Sequence, residues 1–115
     1  MPRKAKLQGI TPEALEFVAA RFRVLSEASR LKLILALEEG EKNVTGLVEA
    51  TELTQANVSR HLQTLTGAGI LGRRREGPNV IYYVADESIF ELCDHVCSSL
   101  QKRLAEQART FAPAR

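Results

Sequence analysis

The sequence predicts a mainly α-helical chain that carries one β-hairpin, and three observations predict it. Apolar residues recur at three- and four-residue steps through most of its length. From Ile70 to Val84 the pattern changes to ILGRRRE, a Gly77-Pro78-Asn79 turn and the β-branched and aromatic run VIYYV. Helical spacing then returns from Ile89 to Leu104. With 115 residues, 44% apolar and 26% charged, the chain has the composition of a single folded domain rather than a disordered segment. The expected division is a basic flexible arm at 1–10, a folded domain at 11–110 and a frayed tail at 111–115.

Thr11-Pro12 reads as a helix N-cap followed by proline at the first helical position, where its missing N–H costs nothing. Leu15, Val18, Ala19, Phe22 and Leu25 then form one apolar face, expected to be buried. A second helix, from about Ser29 to Glu39, is expected to bury Leu31, Ile34, Leu35 and Leu37 and to stop at Gly40. Glu41-Lys42-Asn43 is a polar connection to a short helix, Val44 to Thr51, with Leu47, Val48 and Ala50 facing inward.

After a turn at Thr51-Glu52 comes LTQANVSRHLQTLTGAGIL, the most informative stretch. Thr54 is placed to cap a helix and Leu53 to staple onto Val58, while Val58, Leu62 and Leu65 form a single core stripe at i, i+4 and i+7. Gly67 and Gly69 close it. The hairpin follows, and Asp86 can cap a last helix whose Ile89, Leu92, Cys93, Val96, Leu100 and Leu104 lie along one side. Two helices joined by a tight turn and followed directly by a hairpin make a winged helix-turn-helix, an arrangement that reads DNA.

Charge is informative by position. The net +2 is unremarkable, but Arg3, Lys4 and Lys6 cluster in the arm and Arg73, Arg74 and Arg75 are consecutive. On a wheel of about 100° per residue with Gln55 at the origin, Val58, Leu62 and Leu65 point near 300°. Ala56, Arg60 and Gln63 point near the opposite direction, with Ser59 and Gln55 beside them, and no acidic residue interrupts this face. Glutamine suits adenine, arginine suits guanine, serine suits several edges, and Ala56 leaves room for a thymine methyl. Any surface helix turns polar residues outward and an arginine run is usually a solvated strand, so neither feature alone signifies DNA; their adjacency does. Arg73, Arg74 and Arg75 are all expected to contact DNA, on its backbone or in the minor groove. Strand alternation sends Arg73 and Arg75 to one face and Arg74 to the other, so not all three should meet the same strand, and it likewise separates Tyr82 from Tyr83. His61, at the border of the buried face, is expected to pack or to meet a phosphate rather than a metal.

Several classes are disfavoured. No apolar run is long enough to cross a bilayer, and the opening MPRKAKLQGI lacks the apolar core of a secretory signal, so a cytoplasmic protein with no membrane partner and reduced cysteines is expected. Nucleotide-binding glycine loops, HExxH and nucleophile elbows are all missing, which argues against an enzyme.

The segments RFRVLSEASRLKLILALEEGE and LTQANVSRHLQTLTGAGILGRRREGPNVIYYV resemble the ArsR/SmtB family of bacterial winged-helix repressors, over roughly residues 15–105. The resemblance implies a homodimer built through the first and last helices, repressing from a two-fold symmetric double-stranded DNA operator until an inducer weakens binding. It also places Gln55, Ala56, Ser59 and Arg60 at base-reading positions, and Arg73 to Tyr83 as the wing. Two inducer sites of the family have no match. Where some members carry Cys-x-Cys, this chain has Asn43-Val44-Thr45, and of the zinc or nickel set on the last helix only Asp86 remains, with Ser88, Ser99 and Lys102 near the other positions.

Cys93 and Cys97 stand one helical turn apart on one face, within reach of a shared soft ion, beside the stripe of Val96, Leu100 and Leu104. Two readings are open. The pair can be small hydrophobes in an interface helix, or a thiol sensor that takes arsenite or another thiophilic ion as inducer, or is oxidised, with no other cofactor required. A regulator without metal or redox sensing, or an interaction module that has lost DNA binding, are the alternatives to the whole reading.

Overall fold

A computed structural model describes residues 8–113. In chain order the elements are α1 (Pro12–Leu25), α2 (Ala28–Glu38), α3 (Val44–Thr51), α4 (Gln55–Gly67), β1 (Leu71–Glu76), β2 (Asn79–Val84) and α5 (Ser88–Thr110). They fall into two compact units, one through Ala85 and one from Asp86 onward.

Local chemistry sets the boundaries of the first unit. Thr11 Oγ1 accepts the Ala14 N–H at 3.1 Å and Pro12 opens α1. Asn43 Oδ1 accepts the Gly46 N–H at 2.8 Å to start α3, and Thr54 Oγ1 accepts the Asn57 N–H at 3.1 Å to start α4. Glu52 ends α3 in the left-handed region at φ 61°, which makes the turn between α3 and α4 tight. Within it Thr51 is buried, its hydroxyl donating to the Leu47 carbonyl at 2.6 Å. Four of these helices and the start of the hairpin share a core of Leu25, Leu33, Ile34, Leu37, Leu47, Val58, Leu62, Leu65, Ile70 and Leu71.

The strands are antiparallel, with Leu71 opposite Val84, Arg73 opposite Tyr82, Arg74 opposite Ile81 and Glu76 opposite Asn79. Gly77, at φ 59°, supplies the positive φ that the two-residue turn needs. The chain between α2 and α3 joins the sheet at one point: Lys42 and Tyr82 exchange both backbone hydrogen bonds, at 2.8 and 3.2 Å.

The second unit is α5. Asp86 Oδ1 accepts from the Ser88 N–H at 3.1 Å and from its hydroxyl at 2.5 Å just ahead of the helix, but the N-cap position expected for Asp86 falls to Glu87, which makes no side-chain cap hydrogen bond. Ile89 is buried and Leu92 and Cys93 are half-buried, but Val96, Leu100 and Leu104 are exposed.

Three burial expectations are corrected. On α2, Leu33 rather than Leu35 joins the core, Leu35 being 49% exposed, and Leu31 is only half-buried. The helix is apolar on nearly every side, so spacing could not choose a face. Ala50 of α3 is exposed. On α1 only Leu25 is buried, with Leu15 and Phe22 about half exposed at 47% and 53%. The apolar faces of α1 and α5 are present, but among the described residues they remain largely exposed.

Leu33→Ala should cost about 2–5 kcal/mol in urea unfolding, as for other buried leucines, whereas Leu35→Ala should cost roughly 0.5 kcal/mol or less. Equal costs would restore the sequence-based face.

Candidate nucleic-acid interface

The roll of α4 about its axis is fixed by Val58, His61, Leu62 and Leu65, all buried. His61 is 3% exposed, so of its two expectations packing is the one realised. Its Nδ1 accepts a hydrogen bond from Arg30 Nε at 3.3 Å, and the Glu27 carboxylate paired with Arg30 at 3.2 Å lies 3.5 Å from the same nitrogen. Accepting from a guanidinium requires Nδ1 to be unprotonated, so the ring is neutral and Glu27 is held by Arg30. Burial, followed by the Arg60 charge and with Arg30 adding to it, keeps the imidazole pKa below its ordinary 6.5 against the opposing pull of Glu27.

With that face inward, Gln55, Ala56, Ser59, Arg60 and Gln63 are all exposed, and α4 contains no acidic residue. Arg60 donates to Asn57 Oδ1 at 3.2 Å. Asn57 therefore braces the guanidinium from one turn back, a contact that the i, i+3 spacing could have revealed.

The hairpin stands beside this face. Ser59, Gln63, Thr66 and Gly67 of α4 and Leu71, Gly72, Arg73 and Tyr82 of the hairpin line an open groove of about 680 Å³. Three hydroxyls, an amide and one guanidinium make its polar lining suited to an anion. Among the described residues neither Arg73 nor Arg75 is hydrogen-bonded or ion-paired, and both are exposed.

Arg74 differs. On the other face of β1, it donates from Nη2 to Glu41 Oε1 at 2.6 Å and from Nε to Glu76 Oε2 at 2.6 Å, and it lies 5.8 Å from the centre of the Tyr83 ring. The ring has room because residue 72 is glycine: a Cβ there would meet Tyr83 Cζ at 2.5 Å. The guanidinium hydrogen bond lowers the Glu41 pKa, and the two carboxylates raise that of Arg74. Arg3, Lys4 and Lys6 of the basic arm lie outside the described residues.

A family model described as "Bacterial regulatory protein, arsR family" matches residues 27–72. The Synechocystis protein named "Transcriptional repressor SmtB homolog" is 30% identical over 102 residues, covering 84% of this chain and 77% of that protein. The chain belongs to the ArsR family. The Mycobacterium tuberculosis "HTH-type transcriptional repressor SmtB" is 34% identical over 77 residues, and this match takes in 67% of the chain but only 57% of that protein's length. Among solved structures, the AntR antimony-specific transcriptional repressor aligns with TM-score 0.73 and 31% identity over 93% of this chain and 98% of its own. The architecture is thus the winged helix-turn-helix of ArsR-family regulators, a family of DNA-binding proteins rather than enzymes.

In this ArsR-family chain Asn43, the first residue of the Asn43-Val44-Thr45 stretch, has a structural role. It caps α3, and its amide donates to Asn79 Oδ1 at 3.5 Å. Cys93 is half-buried and Cys97 exposed, neither in a disulfide, and no group of three or more His, Cys, Asp and Glu side chains could hold a metal among the described residues. Two thiols from one chain leave a soft ion short of a full ligand set.

Because the folded pKa of His61 lies below its unfolded value, the unfolded chain binds the extra proton first on acidification. The stabilisation from neutral His61 is complete above about pH 6.5 and is lost as pH falls from there through the depressed folded value. Urea unfolding between pH 7.5 and 5 should show this loss, and His61→Gln should flatten it in that interval; an unchanged profile would contradict the neutral assignment.

Proposed function

We propose that this ArsR-family chain is a homodimeric DNA-binding transcriptional repressor of the cytoplasm, released from its operator by a thiophilic inducer. The observation that carries the reading is the acid-free exposed face of α4 beside a wing whose Arg73 and Arg75 side chains are unpaired among the described residues. In this reading Gln55, Ala56, Ser59, Arg60 and Gln63 enter the major groove and meet base edges. Arg73 and Arg75 take backbone phosphates or the adjacent minor groove, where negative potential is concentrated.

A second copy accounts for the uncovered apolar faces. Leu15, Phe17 and Phe22 on α1 and Val96, Leu100 and Leu104 on α5 are 47–79% exposed, more large apolar surface than a monomer ordinarily leaves in water. Two-fold pairing would present two α4 helices to successive major grooves, and so a two-fold symmetric operator.

The inducer reading rests on the thiols. Cys93 and Cys97 are one turn apart beside the α5 stripe, so pairing of two copies would bring a further cysteine pair near and supply the missing ligands. The antimony specificity of a structural neighbour supports a soft metalloid as the class. Arsenite or antimonite binding would shift the subunit contact and so the spacing of the two α4 helices.

Selection of duplexes from a randomised library, followed by binding measurements, tests the first part. Arg60→Ala should lose about 1–3 kcal/mol of preference for the selected duplex over random DNA; equal loss on both would contradict base reading. For the second part, Cys93→Ser with Cys97→Ser should bind the selected duplex normally yet stay bound when arsenite releases the unaltered protein. Normal release would remove the cysteines from the mechanism.

A further inference from the structure

The three wing arginines are adjacent in sequence and have unlike surroundings, and the difference assigns them unlike work. Arg73 and Arg75 point from one face of β1, unpaired among the described residues, and Arg73 lines the groove shared with Ser59, Gln63 and Thr66 of α4. Arg74 points from the other face into two carboxylates from separate parts of the chain, Glu41 before α3 and Glu76 at the end of its own strand.

The Glu41 contact is one of three at successive residues. Glu41 holds Arg74, the Lys42 backbone pairs with Tyr82 through two hydrogen bonds, and the Asn43 amide reaches Asn79 at 3.5 Å. The segment 41–43 is thereby joined to the hairpin near its middle and at its turn end. It is also fixed at both of its own ends. The Lys42 ammonium donates to the carbonyls of Ala36, at 2.8 Å, and Gly40, at 3.2 Å, while Asn43 caps α3. A two-stranded hairpin alone is marginal in water and free to swing, so a tether of this kind decides where its exposed face points.

We propose that Arg74 is a positioning residue: bridging Glu41 and Glu76, it locks the wing to segment 41–43 and aims Arg73 and Arg75, and it does not itself contact nucleic acid. This rests on the DNA-binding reading above. A guanidinium already neutralised by two carboxylates contributes little net charge toward a phosphate, and freeing it would sacrifice both bridges. Release of condensed counterions upon binding is therefore expected from Arg73 and Arg75 and not from Arg74.

Two measurements test the assignment. First, the salt dependence of affinity is measured for a duplex selected from a randomised library by the unaltered protein. Arg74→Ala should weaken binding by about two- to fivefold, the range open to an exposed ion-pair network, with the slope of log affinity against log salt unchanged. Arg73→Ala should lower that slope by about 0.9, one phosphate contact. The charge swap Glu41→Arg with Arg74→Glu should recover most of the affinity that Arg74→Glu loses, because the bridge is re-formed with its ends exchanged. A slope reduced by about 0.9 in Arg74→Ala, or a swap no better than Arg74→Glu alone, would overturn the proposal in favour of a phosphate contact.

Second, amide hydrogen exchange is followed across residues 71–84 without DNA. Arg74→Ala and Glu41→Gln should each speed exchange in the hairpin while leaving α4 protected; unchanged exchange would also overturn the proposal. A protein that retained no duplex at all would count against the DNA-binding reading, and the exchange result would still decide the role of Arg74.

Discussion

Burial of one stripe on α4 is the constraint from which the remainder follows. Val58, Leu62 and Leu65 leave water together only if the helix takes a single roll about its axis, and His61 completes the same side. Rotating the helix by one residue would bring a polar side chain into the core and expose a leucine, a cost of several kcal/mol on each count. The direction in which Gln55, Ser59, Arg60 and Gln63 project is therefore decided by the residues that do not project. The Thr54 cap and the left-handed Glu52 just before it set where the helix begins.

His61 makes this roll sensitive to its surroundings in a way that a fourth leucine would not. A buried neutral imidazole receiving the Arg30 hydrogen bond ties the middle of α4 to the start of α2, and Arg30 also donates to the Val24 carbonyl at the end of α1 at 3.1 Å. One guanidinium thus links three helices. The wing is secured by a separate set of polar contacts, from segment 41–43, so α4 and the wing are held by different means. The first is a close-packed core and the second an exposed ionic and backbone tether, which salt and substitution reach more easily.

Much of this is legible in the amino-acid sequence. The stripe on α4, the caps at Thr11 and Thr54, the bounds of α3 and the Gly77-Pro78 turn are local patterns whose physics needs only a few neighbouring residues. Strand alternation likewise separated Arg74 from Arg73 and Arg75. What escaped was non-local or under-determined. Glu41 and Arg74 are 33 residues apart, and nothing in the spacing pairs them. Leu33 and Leu35 both lie in a helix with little polar contrast, so only packing distinguishes them. The faces of α1 and α5 were recognised as apolar, yet among the described residues they remain largely exposed, which spacing alone does not reveal.

The claim on which the account turns is that α4 lies in a major groove, twice. Methylation interference on a selected duplex addresses it directly, because guanine N7 opens to the major groove and adenine N3 to the minor. Loss of binding should follow methylation of guanines in two patches related by two-fold symmetry, with centres about one helical turn, 10 base pairs, apart or a multiple of it. Interference confined to adenine N3, or to one unpaired patch, would contradict it.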